Sequence, residues 1–397
     1  MYNKKMYELG SNPSAIRDLF EYGKKRKQEI GFENVFDFSL GNPSVPSPSI
    51  VNETLVNLIN NVDSTKLHGY TSAVGDNEVR KSIADYLNKT YQANVSSDLI
   101  YLTVGAAASL TITFNALLNE GDEVIVIAPF FPEYKVFIEH AKAKVVVCES
   151  LKNSFLPDIN KIKASINEHT KAVLINYPNN PTGVMIDEES LIELCNVLKE
   201  KETLYNHPIY LISDEPYREL LYNSSKPYLF VTNYYDNSIV CYSFSKSLSL
   251  PGERIGYILI NPLCKNSKEV FYAVCGAGRS LGFVCAPALF QYMIPEVLGF
   301  TSDLSIYEKN RDILYNNLTK IGYNVVKPDG AFYLFVEALE DDAVKFCENA
   351  KKFELLVVPS NSFGCSSYIR ISYCVETSMI ERSINSFKAL YDSYQEV

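Results

Sequence analysis

The sequence predicts a mainly parallel α/β domain carrying a smaller α+β domain, and three observations lead there. First, 397 residues that are 47% hydrophobic can bury a sizeable core and are long enough for more than one domain. Second, between about residues 50 and 290, short apolar runs rich in β-branched residues alternate with amphipathic stretches, as in a sheet covered by helices on both faces. Third, the pattern changes beyond residue 290. There, strand-like pieces ("GAFYLFVEAL", "LLVVPS", "YIRISYCV") follow the helical stretch "SIYEKNRDILYNNLTKIG".

Seven runs carry the expected large sheet: "LIYLTV", "EVIVIA", "KVVVC", "AVLIN", "IYLIS", "IVCYS" and "IGYILI". Between the fourth and fifth lies "DEESLIELCNVLKEK", with Asp187 placed to cap a helix. The expected organisation is an N-terminal arm (1–49) ending in the connector "GNPSVPSPS", a large domain (50–290), and a small C-terminal domain (291–397).

Composition narrows the function classes. A net charge of -10 argues against nucleic acid or an anionic membrane as the main partner, and the basic cluster "YGKKRKQEI" reads as the solvated face of a helix. "MYNKKMYELG" lacks the apolar core of a signal peptide, and no apolar run approaches the roughly 18 residues of a membrane span, so a cytoplasmic location is expected. Nine cysteines without a C-x-x-C pair suit reduced, mostly buried thiols. The four histidines show no metal-binding spacing, and no metal is expected.

In open α/β sheets ligands bind beyond the carboxyl ends of the strands, so the residues after each run are the ones to inspect. "LIYLTV" runs into Gly105, Ala106 and Ala107 at a helix start, where free N–H groups suit a phosphate or simply allow close packing. "AVLIN" runs into "YPNNPTG", which reads alone as a plain turn, and "IYLIS" into "DEPYREL" with Asp214 and Tyr217. "IVCYS" runs into "FSKSL", with Lys246 and then Arg254 eight positions on. Each is bland alone. Together they supply what pyridoxal phosphate needs: a lysine for its aldehyde, a carboxylate for its ring nitrogen, donors for its ring oxygen, and cations with N–H groups for its phosphate.

The motifs "GNPS", "HGYTSAVGDNEVR", "TVGAAAS", "APFFPEY", "NYPNNPTG", "SDEPYREL", "SFSKSLSLPGERIGY" and "YIRISYC" follow one another in this order over nearly the whole chain. In this the chain resembles the class I/II aminotransferases, fold-type I pyridoxal-phosphate enzymes similar to aspartate aminotransferase. The resemblance implies that Lys246 condenses with the cofactor and serves as general base, and that Asp214 pairs with the ring nitrogen. It gives the ring oxygen to Asn180 and Tyr217 and the ring face to Phe131. It makes Gly105, Ala106, Ala107, Ser243, Ser245 and Arg254 the phosphate cup, and Gly41 and Arg370, with Asn180, the substrate contacts. Tyr70 matches a tyrosine that reaches the neighbouring subunit's phosphate, which implies a homodimer.

The activity so implied is ping-pong transfer of an amino group between an L-amino acid and a 2-oxo acid, with aspartate or another common amino acid as donor. One bacterial aspartate aminotransferase group carries a lysine for the distal carboxylate where Ala107 stands here. Arg279 in "GAGRSLG" is a candidate to replace it, against the alternative of a surface or structural arginine. The glycine spacing of that segment does not suit a dinucleotide loop. A pyridoxal-phosphate C–S lyase is a second reading on the same fold, and a non-catalytic cofactor-binding regulator a third.

Overall fold

The structure is a computed structural model, and it describes residues 2–11, 15–222 and 226–395. The chain divides into two compact units, one comprising residues 45–180 and 184–304, the other residues 1–44, 181–183 and 305–397.

The first unit is built on a seven-stranded sheet whose strands, numbered in chain order, are β1 (Ile100–Thr103), β2 (Glu123–Ala128), β3 (Lys144–Glu149), β4 (Thr170–Ile175), β5 (Tyr210–Asp214), β6 (Ser238–Ser243) and β7 (Gly256–Ile260). These are the seven apolar runs of the sequence. Their spatial order is β1-β7-β6-β5-β4-β2-β3. β2 to β6 pair in parallel with their neighbours in that order, whereas β7 runs antiparallel to both β1 and β6.

The strands are apolar throughout because each face of the sheet has its own core. Ile125, Ile127, Val173, Leu211 and Val240 point into one buried cluster. Their chain neighbours Val124, Val126, Leu174, Ile212 and Ile239 point into the other. The two-residue period of a strand thus feeds two helical layers. β3 departs from the pattern as an edge strand, with Val147 partly exposed between Lys144 and Glu149.

Helix α1 (Ala106–Leu117) follows β1 directly, α2 (Glu133–His140) follows β2, and α3 (Ser267–Leu281) follows β7. The helix Glu188–Tyr205 is capped as its sequence predicts, Asp187 accepting from the Ser190 N–H at 2.7 Å.

The second unit holds an antiparallel sheet in which Tyr368–Ser372 lies between Val358–Pro359 and Tyr333–Glu337, the latter also pairing with Val325–Val326. A short parallel pair joins Phe36–Asp37 to Leu355–Leu356, so the N-terminal residues are tied into this unit by backbone hydrogen bonds. Among the described residues no helix is long and apolar enough to cross a membrane. Among the described residues no cysteine is in a disulfide, and six of the nine are buried.

Candidate active site

Most of the residues singled out above stand at the ends of the large sheet's strands, in the first unit. Asp214 is the last residue of β5 and is buried. Its Oδ2 accepts a 2.6 Å hydrogen bond from the hydroxyl of Tyr134 on α2. Its Oδ1 has no hydrogen-bond partner in the protein. Burial pushes the carboxyl up to about 7, the Tyr134 hydroxyl pulling the other way and Glu215 adding to the rise. A buried carboxylate with one oxygen held and the other unmet suits a ligand group carrying a proton on nitrogen.

Asn176, one residue beyond β4, ties two of these positions together. Its Nδ2 donates to the Asp214 carbonyl at 2.7 Å, and its Oδ1 accepts from the Asn180 N–H at 2.8 Å. Asn180 and Tyr217 are both buried. Phe131, half-buried, meets Tyr134 edge to face at 5.6 Å. Neither Tyr134 nor Asn176 was singled out from the sequence. Both lie inside motifs that were, "APFFPEY" and "NYPNNPTG", but the Asp214 they meet belongs to another strand.

A second cluster forms where β1, β6 and β7 meet. Gly105 precedes α1 with φ 93°, in the region that favours glycine, and a Cβ there would come within 2.5 Å of the Arg254 guanidinium. Glycine is therefore required both by the turn and by the close approach of the cation. Arg254, itself left-handed at φ 52°, donates through Nη1 to Ser245 Oγ at 3.3 Å and to the Pro251 carbonyl at 2.8 Å. Ser243 and Ser245 join their hydroxyls at 2.6 Å.

Ala106 and Ala107 open the helix, and Ala107 is exposed. The helix start is anchored to the sheet by Ser109, whose hydroxyl bonds Thr103 at 2.7 Å. Helix-end N–H groups, a guanidinium and a serine hydroxyl make a cup whose chemistry suits a phosphate. Lys246, partly buried, follows Ser245 directly.

Two further candidates lie in the same unit. Tyr70 is 99% exposed. Arg279 is exposed on the last turn of α3, and Gly282 ends that helix in the left-handed conformation, so "GAGRSLG" is a helix end.

In the second unit Arg370 is buried in the middle of its strand. Its guanidinium lies over the Tyr333 ring at 4.6 Å and near Phe363 at 5.3 Å, while Nη2 donates to the Ser39 carbonyl at 2.7 Å. Ser39 is fixed in turn by Asp37, whose Oδ1 accepts from the Ser39 hydroxyl at 2.6 Å and whose Oδ2 pairs with Lys27 at 2.7 Å. Gly41 leaves room for Tyr333, since a Cβ on it would collide with the phenol.

The unmet oxygen of Asp214 and the donor chemistry of the cup both fit pyridoxal phosphate. Comparison with known proteins agrees. The family "Aminotransferase class I and II" matches residues 33–387. The chain is 30% identical over 381 residues to an aspartate aminotransferase of Pyrococcus horikoshii, covering 94% of this chain and 93% of that one. A crystal structure of an amino transferase from Eubacterium rectale superposes with a TM-score of 0.97 at 52% identity, covering 99% of each chain. An aspartate aminotransferase from Thermus thermophilus, solved with maleate, matches with a TM-score of 0.86 at 25% identity over 98% of this chain and 99% of that one. The chain therefore belongs to the class I and II aminotransferases, and it is a pyridoxal-phosphate-dependent transaminase of fold type I.

Proposed function

We propose that this transaminase moves an amino group from a common L-amino acid, with aspartate the first candidate, to a 2-oxo acid, and that it works as a cytoplasmic homodimer. The observation that carries the site assignment is the buried Asp214, one carboxylate oxygen held by Tyr134 and the other unmet. Pyridoxal phosphate, when bound, supplies an electron-withdrawing ring that takes up the charge developed at a substrate α-carbon. Asp214 keeps a proton on the ring nitrogen by pairing with it. Asn180 and Tyr217 donate to the ring oxygen, and Phe131 covers the ring face. Gly105, Ala106, Ala107, Ser243, Ser245 and Arg254 hold the phosphate. The Lys246 amine, in its neutral form, would take the α-proton of the donor and, in the return half of the reaction, give a proton to the α-carbon of the acceptor. Gly41 and Arg370 bind the substrate α-carboxylate, for which a guanidinium fork is the matched partner.

The aspartate reading is supported by the relatives' names and by the dicarboxylate maleate in the Thermus thermophilus structure. The exposed Tyr70 supports a second subunit, in whose phosphate cup its hydroxyl would end. Arg279 is the candidate for a donor's distal carboxylate. Arg279→Ala should then damage turnover of dicarboxylic amino acids and spare alanine, and equal loss for both would remove the assignment.

The test of the whole reading is the absorbance of the purified protein loaded with pyridoxal phosphate, mixed with single amino acids and no oxo acid. The expected result is a visible band that one amino acid converts to the near-ultraviolet band of the aminated cofactor, with one equivalent of oxo acid released. Continuous release of pyruvate and ammonia would instead make the protein a lyase.

A further inference from the structure

The motif "SDEPYREL" carries three charged residues that the assigned roles leave unused, Glu215, Arg218 and Glu219. Arg218 is buried, with only 1% of its surface exposed, and its Nε donates to Glu215 Oε2 at 2.8 Å. Its Nη2 donates to the Tyr257 hydroxyl at 3.0 Å. The guanidinium lies 4.2 Å from the centre of the Tyr242 ring and within 5.5 Å of Tyr91 and Phe230. Tyr242 in turn bonds Glu219 at 2.9 Å and Ser247 at 3.0 Å. Burial pushes both glutamates up, and the Arg218 cation is the largest influence drawing each back down.

The position of this cluster gives it a use. Glu215 stands directly after Asp214, and Arg218 directly after Tyr217. Tyr242 precedes Ser243 on β6, and Ser247 follows Lys246. One guanidinium therefore joins the segment bearing Asp214 and Tyr217 to the segment bearing Ser243, Ser245 and Lys246. The buried Glu215 holds it at 2.8 Å, the partly buried Glu219 lies 4.0 Å away, and four aromatic rings lie within 5.9 Å of it.

We propose that Arg218 is a positioning residue for transamination, a buried clamp that fixes the Asp214–Tyr217 segment against the Ser243–Lys246 segment. This rests on the assignment of Asp214 and Lys246 above. The clamp needs a planar fork. A lysine ammonium keeps the charge but does not serve Glu215 and Tyr257 together while lying flat on Tyr242.

The test compares three holoenzymes, wild type, Arg218→Lys and Tyr257→Phe, the last removing a single oxygen at the edge of the cluster. Thermal unfolding verifies the fold, and the visible circular dichroism of the bound cofactor reports its setting. Arg218→Lys should remain loaded and lose about tenfold in kcat with KM nearly unchanged, as small misplacements near reacting groups do. Tyr257→Phe should show the same split at about threefold. In both, the visible dichroism should differ from wild type. If Arg218→Lys does not fold, Tyr257→Phe decides. Wild-type kcat and dichroism in the folded variants would reduce the clamp to a stability element and overturn the proposal. A wild-type chain that never forms the visible band would overturn the site assignment along with it.

Discussion

The sheet-end clusters of the first unit and the Arg370 cluster of the second solve opposite problems. At the sheet ends the protein keeps a polar group incompletely satisfied: Asp214 retains an unmet oxygen in a buried position. Such a group costs stability, and a ligand that donates to it offsets that cost. Around Arg370 the protein builds support instead, with rings on its flanks, a carbonyl on Nη2, and Asp37 and Lys27 behind that carbonyl. The first arrangement offers chemistry to a cofactor. The second fixes one cation in one orientation.

That contrast predicts different losses. Lys246→Ala removes the group proposed to accept the α-proton, so kcat should fall about 10⁴-fold and no Lys246-linked visible band should form, while thermal stability changes little. Arg370→Lys keeps the charge but gives up the fork. Its kcat/KM for amino acids should fall about 10²-fold, carried by KM, with the visible band of the loaded enzyme intact. A lost band in Arg370→Lys would erase the distinction between the two regions.

The unmet oxygen of Asp214 also has a pH signature in the apoprotein. Its carboxyl rises from 3.8 unfolded to about 7 folded, so between these values the folded state holds more protons than the unfolded chain. The stability that Asp214 contributes should therefore be full below the unfolded value and be lost as pH rises from there through about 7, by up to about 4 kcal/mol. Asp214→Asn should flatten that part of the apoprotein's unfolding profile. So should loading the wild type with cofactor, because a protonated ring nitrogen favours the charged carboxylate. An apoprotein equally stable at about pH 5 and pH 8, after allowance for other groups, would mean that Asp214 is not buried as described.

The same contrast explains what was legible in the sequence. The seven strands read directly because each is apolar on both faces and bounded by helix or turn signals. The strand-end rule then led to Gly105, Asn180, Asp214 and Lys246. Tyr134 and Asn176 escaped because their roles exist only once the folded sheet sets Asp214 beside them. Arg370 sits mid-strand, where no strand-end rule points, and was found by resemblance alone. Its Ser39 contact lies 331 residues away along the chain. The rings around Arg218 come from positions 91, 230, 242 and 257, so "DEPYREL" displays the charges of that cluster and hides its cage.

The smallest expected effect tests whether support behind Arg370 matters at all. Asp37→Asn preserves volume and retains an oxygen for Ser39, but it removes the carboxylate that pairs with Lys27 at 2.7 Å. The partners are mostly buried, so stability should drop by about 1 kcal/mol. If the Ser39 carbonyl is what holds Nη2 in place, the loosened loop should also raise KM for the amino acid about threefold and leave kcat alone. Unchanged KM with the expected loss of stability would show that Tyr333 and Phe363 orient the guanidinium by themselves. The second region would then resemble the first in depending on its nearest neighbours rather than on a chain of contacts reaching back to Lys27.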